Sequence, residues 1–144
     1  MGMKGYIRVG KIHSKVARLA GFNANGDVFA SPGVYKHIRK RHFKQLGQNA
    51  IDNMTAIMKS ILSSPDFIGH DPEKGATSIE LVKKAGPFIL LALEVDTENN
   101  YIYVASLYPL TEGKICSRLH SGRLIPLTSI SEFKHLEKKI LWDE

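Results

Sequence analysis

Cysteine is nearly absent: Cys116 stands alone, which excludes an intrachain disulfide and any multi-cysteine zinc site. Long apolar runs are missing as well. The longest, Phe88 to Leu93, falls far short of the ~20 residues a membrane span needs. No GxxxxGK[ST] phosphate loop, GxGxxG dinucleotide turn, GxSxG elbow or HExxH zinc helix occurs, so several large enzyme classes drop out and no cofactor is expected. Acid is scarce where base is crowded. Residues 1–47 hold ten Lys or Arg and one acid, Asp27, so this third carries +9 while the remaining 97 residues carry −3.

What is present fits one ordinary globular domain spanning residues 1–144, with 43% hydrophobic and 24% charged residues. The start, Met1-Gly2-Met3-Lys4-Gly5, has no apolar core of the kind a signal peptide needs, so a soluble, cytoplasmic protein with no membrane partner is expected. Self-repulsion among the N-terminal cations opposes folding and calls for a polyanionic partner. A second acid-free basic stretch runs from Lys114 through Arg118 and His120 to Arg123. Nucleic acid is the commonest such partner, because Lys and Arg release the counterions condensed on its phosphates.

Residues 6–11 alternate as a first strand, and the turn-rich Gly21–Gly26 segment leads to a short strand at 27–30. Ser31 as N-cap and Pro32 in the first turn open a helix over 32–46. It sets Val34 or Tyr35, Ile38, His42 and Leu46 on one stripe, and cations on its other faces. A second helix over 49–63 carries Ile51, Met54, Ile57, Met58, Ile61 and Leu62 at helical spacing, which is a core face. Strands follow at 66–70, 77–84, 88–95 and 101–108, the last two as a hairpin, with 88–95 apolar enough to be central. Ser129-Ile130-Ser131-Glu132 opens a C-terminal helix carrying Phe133, Leu136, Ile140 and Leu141. The expected class is α+β: N-terminal helices packed on an antiparallel sheet of four or more strands, then a closing helix.

His37 and His42 lie about 140° apart around a helix and cannot both face one ion, and no dense carboxylate cluster marks a two-metal nuclease, so no metal site is expected. Metal-free cleavage of RNA needs a base for the 2′-hydroxyl, cations for the phosphoryl oxygens and an acid for the leaving oxygen. Histidine suits base or acid, and arginine matches two phosphate oxygens at once. Both types crowd the run Tyr35-Lys36-His37-Ile38-Arg39-Lys40-Arg41-His42, where His37 and Arg41 share a face and His42 sits at the edge expected to meet the sheet. Arg39, Lys40 and Lys44 read as an electrostatic footprint. Ser106 and Tyr108 form the polar end of a strand row begun by Ile102 and Val104, Lys83 ends another strand, and Arg118, His120 and Arg123 fall in a following loop. Cys116 is expected at a small buried or edge position.

Three stretches carry a resemblance: the helix from Tyr35 to His42, the strands Ile79-Glu80-Leu81-Val82-Lys83 and Phe88-Ile89-Leu90-Leu91-Ala92-Leu93-Glu94, and Tyr103-Val104-Ala105-Ser106-Leu107-Tyr108-Pro109. In their order the chain resembles the phage and mobile-element branch of the Barnase–EndoU–colicin–RelE-like nucleases, over roughly residues 30–125. The resemblance implies two helices on a four-stranded antiparallel sheet and metal-independent RNA cleavage through a 2′,3′-cyclic phosphate. Carried onto matching positions, it implies catalytic roles for Arg41, His42, Lys83, Ser106 and Tyr108. RNA is then the expected partner, contacted also by His37, Arg39, Lys40, Lys44, Arg118, His120 and Arg123. A toxin-like effector of this kind would be matched by an acidic immunity or antitoxin protein. The alternative is a basic module that binds nucleic acid, or regulates a host protein, without chemistry.

Overall fold

In the computed structural model, which describes residues 5–127, the alternating N-terminal segment forms β1 (Ile7–Ile12), paired antiparallel with β2 (Gly26–Ala30). Between them lies α1 (Ser14–Ala20), which ends on Gly21 in the left-handed conformation (φ 73°) that glycine adopts without strain. This short helix has no counterpart in the sequence expectations.

α2 (Pro32–Leu46) begins one residue after β2. Ser31 caps it by accepting from the Val34 N–H at 3.1 Å, and Pro32 occupies the first turn. No acid lies on α2, so no ion pair within the helix offsets its cations. Its anchors are Val34 and Ile38, both buried, with Tyr35 and Leu46 packed beside them. Each such burial contributes roughly 1.5–3 kcal/mol. The stripe deduced from spacing is the one that packs.

The expected second helix is two: α3 (Gln48–Asp52) and α4 (Met54–Ser63). The break falls at Asn53, whose side-chain amide donates to the Asn49 carbonyl (2.7 Å) and so competes with the helical ladder. Met54, Met58, Ile61 and Leu62 on α4 are buried, as core residues should be.

Five more strands follow: β3 (Phe67–Gly69), β4 (Ser78–Lys84), β5 (Phe88–Asp96), β6 (Tyr101–Leu110) and β7 (Leu124–Pro126). They join β1 and β2 in one seven-stranded sheet of order β1-β2-β6-β5-β4-β3-β7. All pairings are antiparallel except β2 with β6. The architecture is α+β, with the N-terminal helices against an antiparallel sheet. β5 is covered on both sides: Ile89, Leu91 and Leu93 enter the main core, and Leu90 joins a second cluster with Val82, Leu110, Ile115 and Leu124.

That second cluster is roofed by α5 (Glu112–Ser121), a helix where the sequence reading has a loop. Thr111 caps it by accepting from the Lys114 N–H (3.2 Å), and Gly122 closes it with φ 83°. Its only apolar stripe is Ile115 and Leu119, too thin to announce a helix by periodicity. The C-terminal helix expected from Ser129 lies outside the described residues. Among those described, no helix is long and apolar enough to cross a membrane.

Candidate functional site

A β-bulge decides what β6 offers to each side of the sheet. Ala92 pairs with Ser106, but the next residue, Leu93, pairs with Val104, so β6 carries one extra residue between them. Adjacent residues of β5 face opposite sides, hence Val104 and Ser106 do too. Ile102, Val104 and Leu107 enter the main core, while Ser106 and Tyr108 turn to the other face and are half-buried there. The sequence expectation of one shared row, Ile102-Val104-Ser106-Tyr108, is corrected by this bulge.

α2 packs against β6, which β2 pairs only at Ile102 and Tyr103. His42, at the flank of the buried stripe, therefore reaches β6. Its Nε2 lies 3.5 Å from Ser106 Oγ, the outer limit of a hydrogen bond, and its ring centroid lies 5.4 Å from that of Tyr108, tilted 31°. Its Nδ1–H donates to Gln45 Oε1 at 2.9 Å. In the neutral imidazole that leaves the lone pair on Nε2, the atom facing the Ser106 hydroxyl. Such an imidazole can take a proton from a hydroxyl on the sheet side. The His37 ring stands edge-on, 6.3 Å from that of His42.

On the Ser106 face a cavity of about 240 Å³ opens among Lys74, Glu80, Glu94, Ser106, Tyr108 and Arg123. Glu80 is buried, with 4% of its surface exposed, and shares a face with Ser106 through the ladder Glu80–Ala92–Ser106. Arg123 grips it with both ends of its fork, Nε to Oε1 and Nη2 to Oε2, each at 2.8 Å. That bond to Glu80 raises the Arg123 pKa above its ordinary value. Arg118 Nη1 lies 3.5 Å from Oε1, buried, yet makes no hydrogen bond. Two guanidinium groups thus share one buried carboxylate. The chain reaches this arrangement because β7 and the turn before it press on β3 at Gly69, where any Cβ would collide with the Arg123 carbonyl. Two hollows of about 390 and 380 Å³ lie away from this face, the first edged by Arg8, Lys11, His13 and Lys59 and the second by Tyr35, Arg39 and Asp52.

His42, Ser106 and Tyr108 come together; Lys83 does not join them. It lies three residues from Glu80 on β4 and so faces the opposite side of the sheet, where its Nζ donates to the Ser64 carbonyl (2.8 Å) and hydroxyl (2.9 Å). Arg41 is exposed on α2 directly before His42, and His37, Arg39, Lys40 and Lys44 are exposed on the same helix. Arg118 and His120 belong to α5 rather than a loop, with His120 exposed, and Arg123 precedes β7. Cys116 is exposed on α5, not buried or at an edge. Glu80 escaped the sequence reading, though a carboxylate between Ile79 and Leu81 in a buried strand is itself a signal. Among the described residues no group of three or more His, Cys, Asp or Glu side chains could hold a metal ion.

Residues 7–117, from β1 into α5, match the model of a family described as phage-Barnase-EndoU-ColicinE5/D-RelE like nuclease 3. The match takes in His42, Ser106, Tyr108 and Glu80 and stops short of Arg118 and Arg123. No curated protein and no solved structure matches the chain.

Proposed function

The chain belongs to the phage-Barnase-EndoU-ColicinE5/D-RelE like nuclease 3 family, and on that footing we propose that it is an endoribonuclease cutting RNA without a metal ion. The 2′-oxygen attacks the adjacent phosphorus, the bond from phosphorus to the 5′-oxygen breaks, and a 2′,3′-cyclic phosphate remains. His42 Nε2 takes the 2′-hydroxyl proton, and His37, beside it, returns a proton to the departing 5′-oxygen. Ser106 and Tyr108 orient the ribose and phosphate by their hydroxyls. Arg41, exposed on α2 directly before His42, and Arg123, held by Glu80, compensate the charge that grows on the phosphoryl oxygens. Lys83 has no part in this reading, because its ammonium is engaged by Ser64 on the other face. Arg39, Lys40 and Lys44 draw the polyanion in by long-range attraction.

The observation that carries the reading is the His42 ring itself, with Nδ1 2.9 Å from Gln45 Oε1 and Nε2 3.5 Å from the Ser106 hydroxyl, beside a cavity holding an arginine. The test is an oligonucleotide with one ribonucleotide among deoxynucleotides, incubated with the purified protein in EDTA. The expected product is a single cut after the ribose with a cyclic phosphate end by mass spectrometry. Cleavage of all-DNA oligonucleotides at the same rate, or cleavage that EDTA abolishes, would overturn the mechanism. Salt-sensitive binding without any product would leave a binding module.

A further inference from the structure

On the Ser106 face, β6 carries two more side chains whose use is not explained by the chemistry above: Tyr101 and Tyr103, with ring centroids 5.9 Å apart. Tyr6, just before β1, lies edge-on to Tyr101 at 6.3 Å. Phe29 of β2 stands opposite Tyr103 in the parallel register and so shares its face, since Val28 and Ala30 are buried on the other. Strands β2 and β6, with the residue that precedes β1, thus bring four aromatic rings to one side of the sheet. All four are half-buried, and they belong to neither buried cluster.

The patch joins the cavity. Tyr103 donates its hydroxyl to Glu94 (3.3 Å), and Glu94 lines the cavity together with Lys74, which donates to its other oxygen at 2.7 Å. Acids near the rings are engaged. Asp27 is paired with Arg8 at 2.8 Å, Glu94 with Lys74, and Asp96 accepts from the Glu98 and Asn99 backbone N–H groups. Arg8 stands opposite Phe29 on β1, held there by Asp27. Burial, reinforced by Tyr6, pushes Tyr101 up to about 12, and burial with the Glu94 charge raises Tyr103, so both keep their hydroxyl protons at neutral pH.

Flat rings continuous with a cavity that holds an arginine match a polymer with flat bases and a phosphate backbone. We propose that Tyr6, Phe29, Tyr101 and Tyr103 form a stacking platform for the bases of single-stranded RNA, which holds the strand whose phosphate enters the adjacent cavity. The identity of the polymer rests on the ribonuclease reading above. A duplex is excluded from this platform, because its base faces are already stacked on one another.

Binding is measured on the full chain with non-cleavable 2′-O-methyl oligonucleotides of two and seven nucleotides, at one fixed salt concentration. The wild type is expected to bind the heptamer more tightly than the dimer, and Phe29→Ala or Tyr101→Ala to weaken heptamer binding roughly 5- to 100-fold. Tyr101→Phe keeps the ring and is expected to keep the affinity, which separates loss of stacking from loss of fold. Equal heptamer affinity for wild type and both alanine variants would overturn the proposal, as would a heptamer duplex that binds as well as the single strand. Unchanged RNA affinity with an altered oligomeric state in sedimentation would assign the face to a second copy and also overturn it. Loss of heptamer binding in the variants of a protein that cuts no RNA would uphold the platform and sink the ribonuclease reading.

Discussion

Ser106 Oγ and His42 Nε2 lie 3.5 Å apart across sixty-four residues of chain, and the Ser106 hydroxyl has that imidazole as its neighbour at the cavity wall. Ser106→Ala removes the hydroxyl and leaves the half-buried strand position filled. A hydrogen bond from that hydroxyl to the substrate contributes roughly 1 kcal/mol, whereas its 3.5 Å contact with His42 is at the outer limit of a hydrogen bond. RNA cleavage by Ser106→Ala is therefore expected to fall about five- to tenfold in kcat/KM. Its denaturation midpoint is expected to match the wild type. The two measurements together check that the hydroxyl serves the reaction rather than the fold.

Lys83→Ala gives the opposite pattern. The ammonium ties β4 to Ser64 at the end of α4, on the face away from Ser106. Cleavage is expected to stay within about twofold of wild type, while unfolding in urea shows a loss of no more than ~1 kcal/mol, the usual size for a partly exposed polar contact.

Glu80→Gln tests the seat of the two arginines. The side chain is 5% exposed, and the neutral amide leaves Arg123 and Arg118 without their counter-charge. Breaking a buried ion pair by removing one partner costs about 3–5 kcal/mol. A denaturant midpoint close to the wild type would show that the pair is not held as described. RNA binding is expected to weaken with the stability, because Arg123 loses the carboxylate that aims its fork.

Alkaline pH reports on the aromatic face. The pKa of Tyr101 is raised to about 12 in the fold, against about 10 in an unfolded chain. The unfolded chain thus loses its proton first. The contribution of this hydroxyl to stability is complete below pH 10 and is lost as pH rises toward 12. Urea unfolding at pH 9 and at pH 11 is expected to show a decline in wild type that is shallower in Tyr101→Phe, and phenolate absorbance is expected to lose one late-titrating tyrosine in that variant.

The helix that presents His42 was legible from sequence because Ser31, Pro32 and the Val34-Ile38-Leu46 spacing each encode a local rule. Strands β4 to β6 were legible by alternation and apolarity. The bulge between Val104 and Ser106 was not, because it depends on the register against β5 and leaves no mark in the composition of β6. Lys83 went astray for a related reason: its place at a strand end was visible, but its face depends on pairing with Ile89. Helix α5 carries two apolar residues and was hidden by that brevity. Glu80 could have been singled out, since a lone carboxylate among Ile79, Leu81 and Val82 implies a buried cation, although nothing local names Arg118 and Arg123 as its partners.

The most direct measurement is the kcat/KM of His42→Ala on a single-stranded oligonucleotide with one ribonucleotide, beside the wild type in EDTA. A positioned general base or acid contributes roughly 10²–10⁴-fold, and a fall of that size, with the fold retained by circular dichroism, is the expected result. Cleavage by His42→Ala at the wild-type rate would contradict the account, because the imidazole facing Ser106 would then have no part in the reaction.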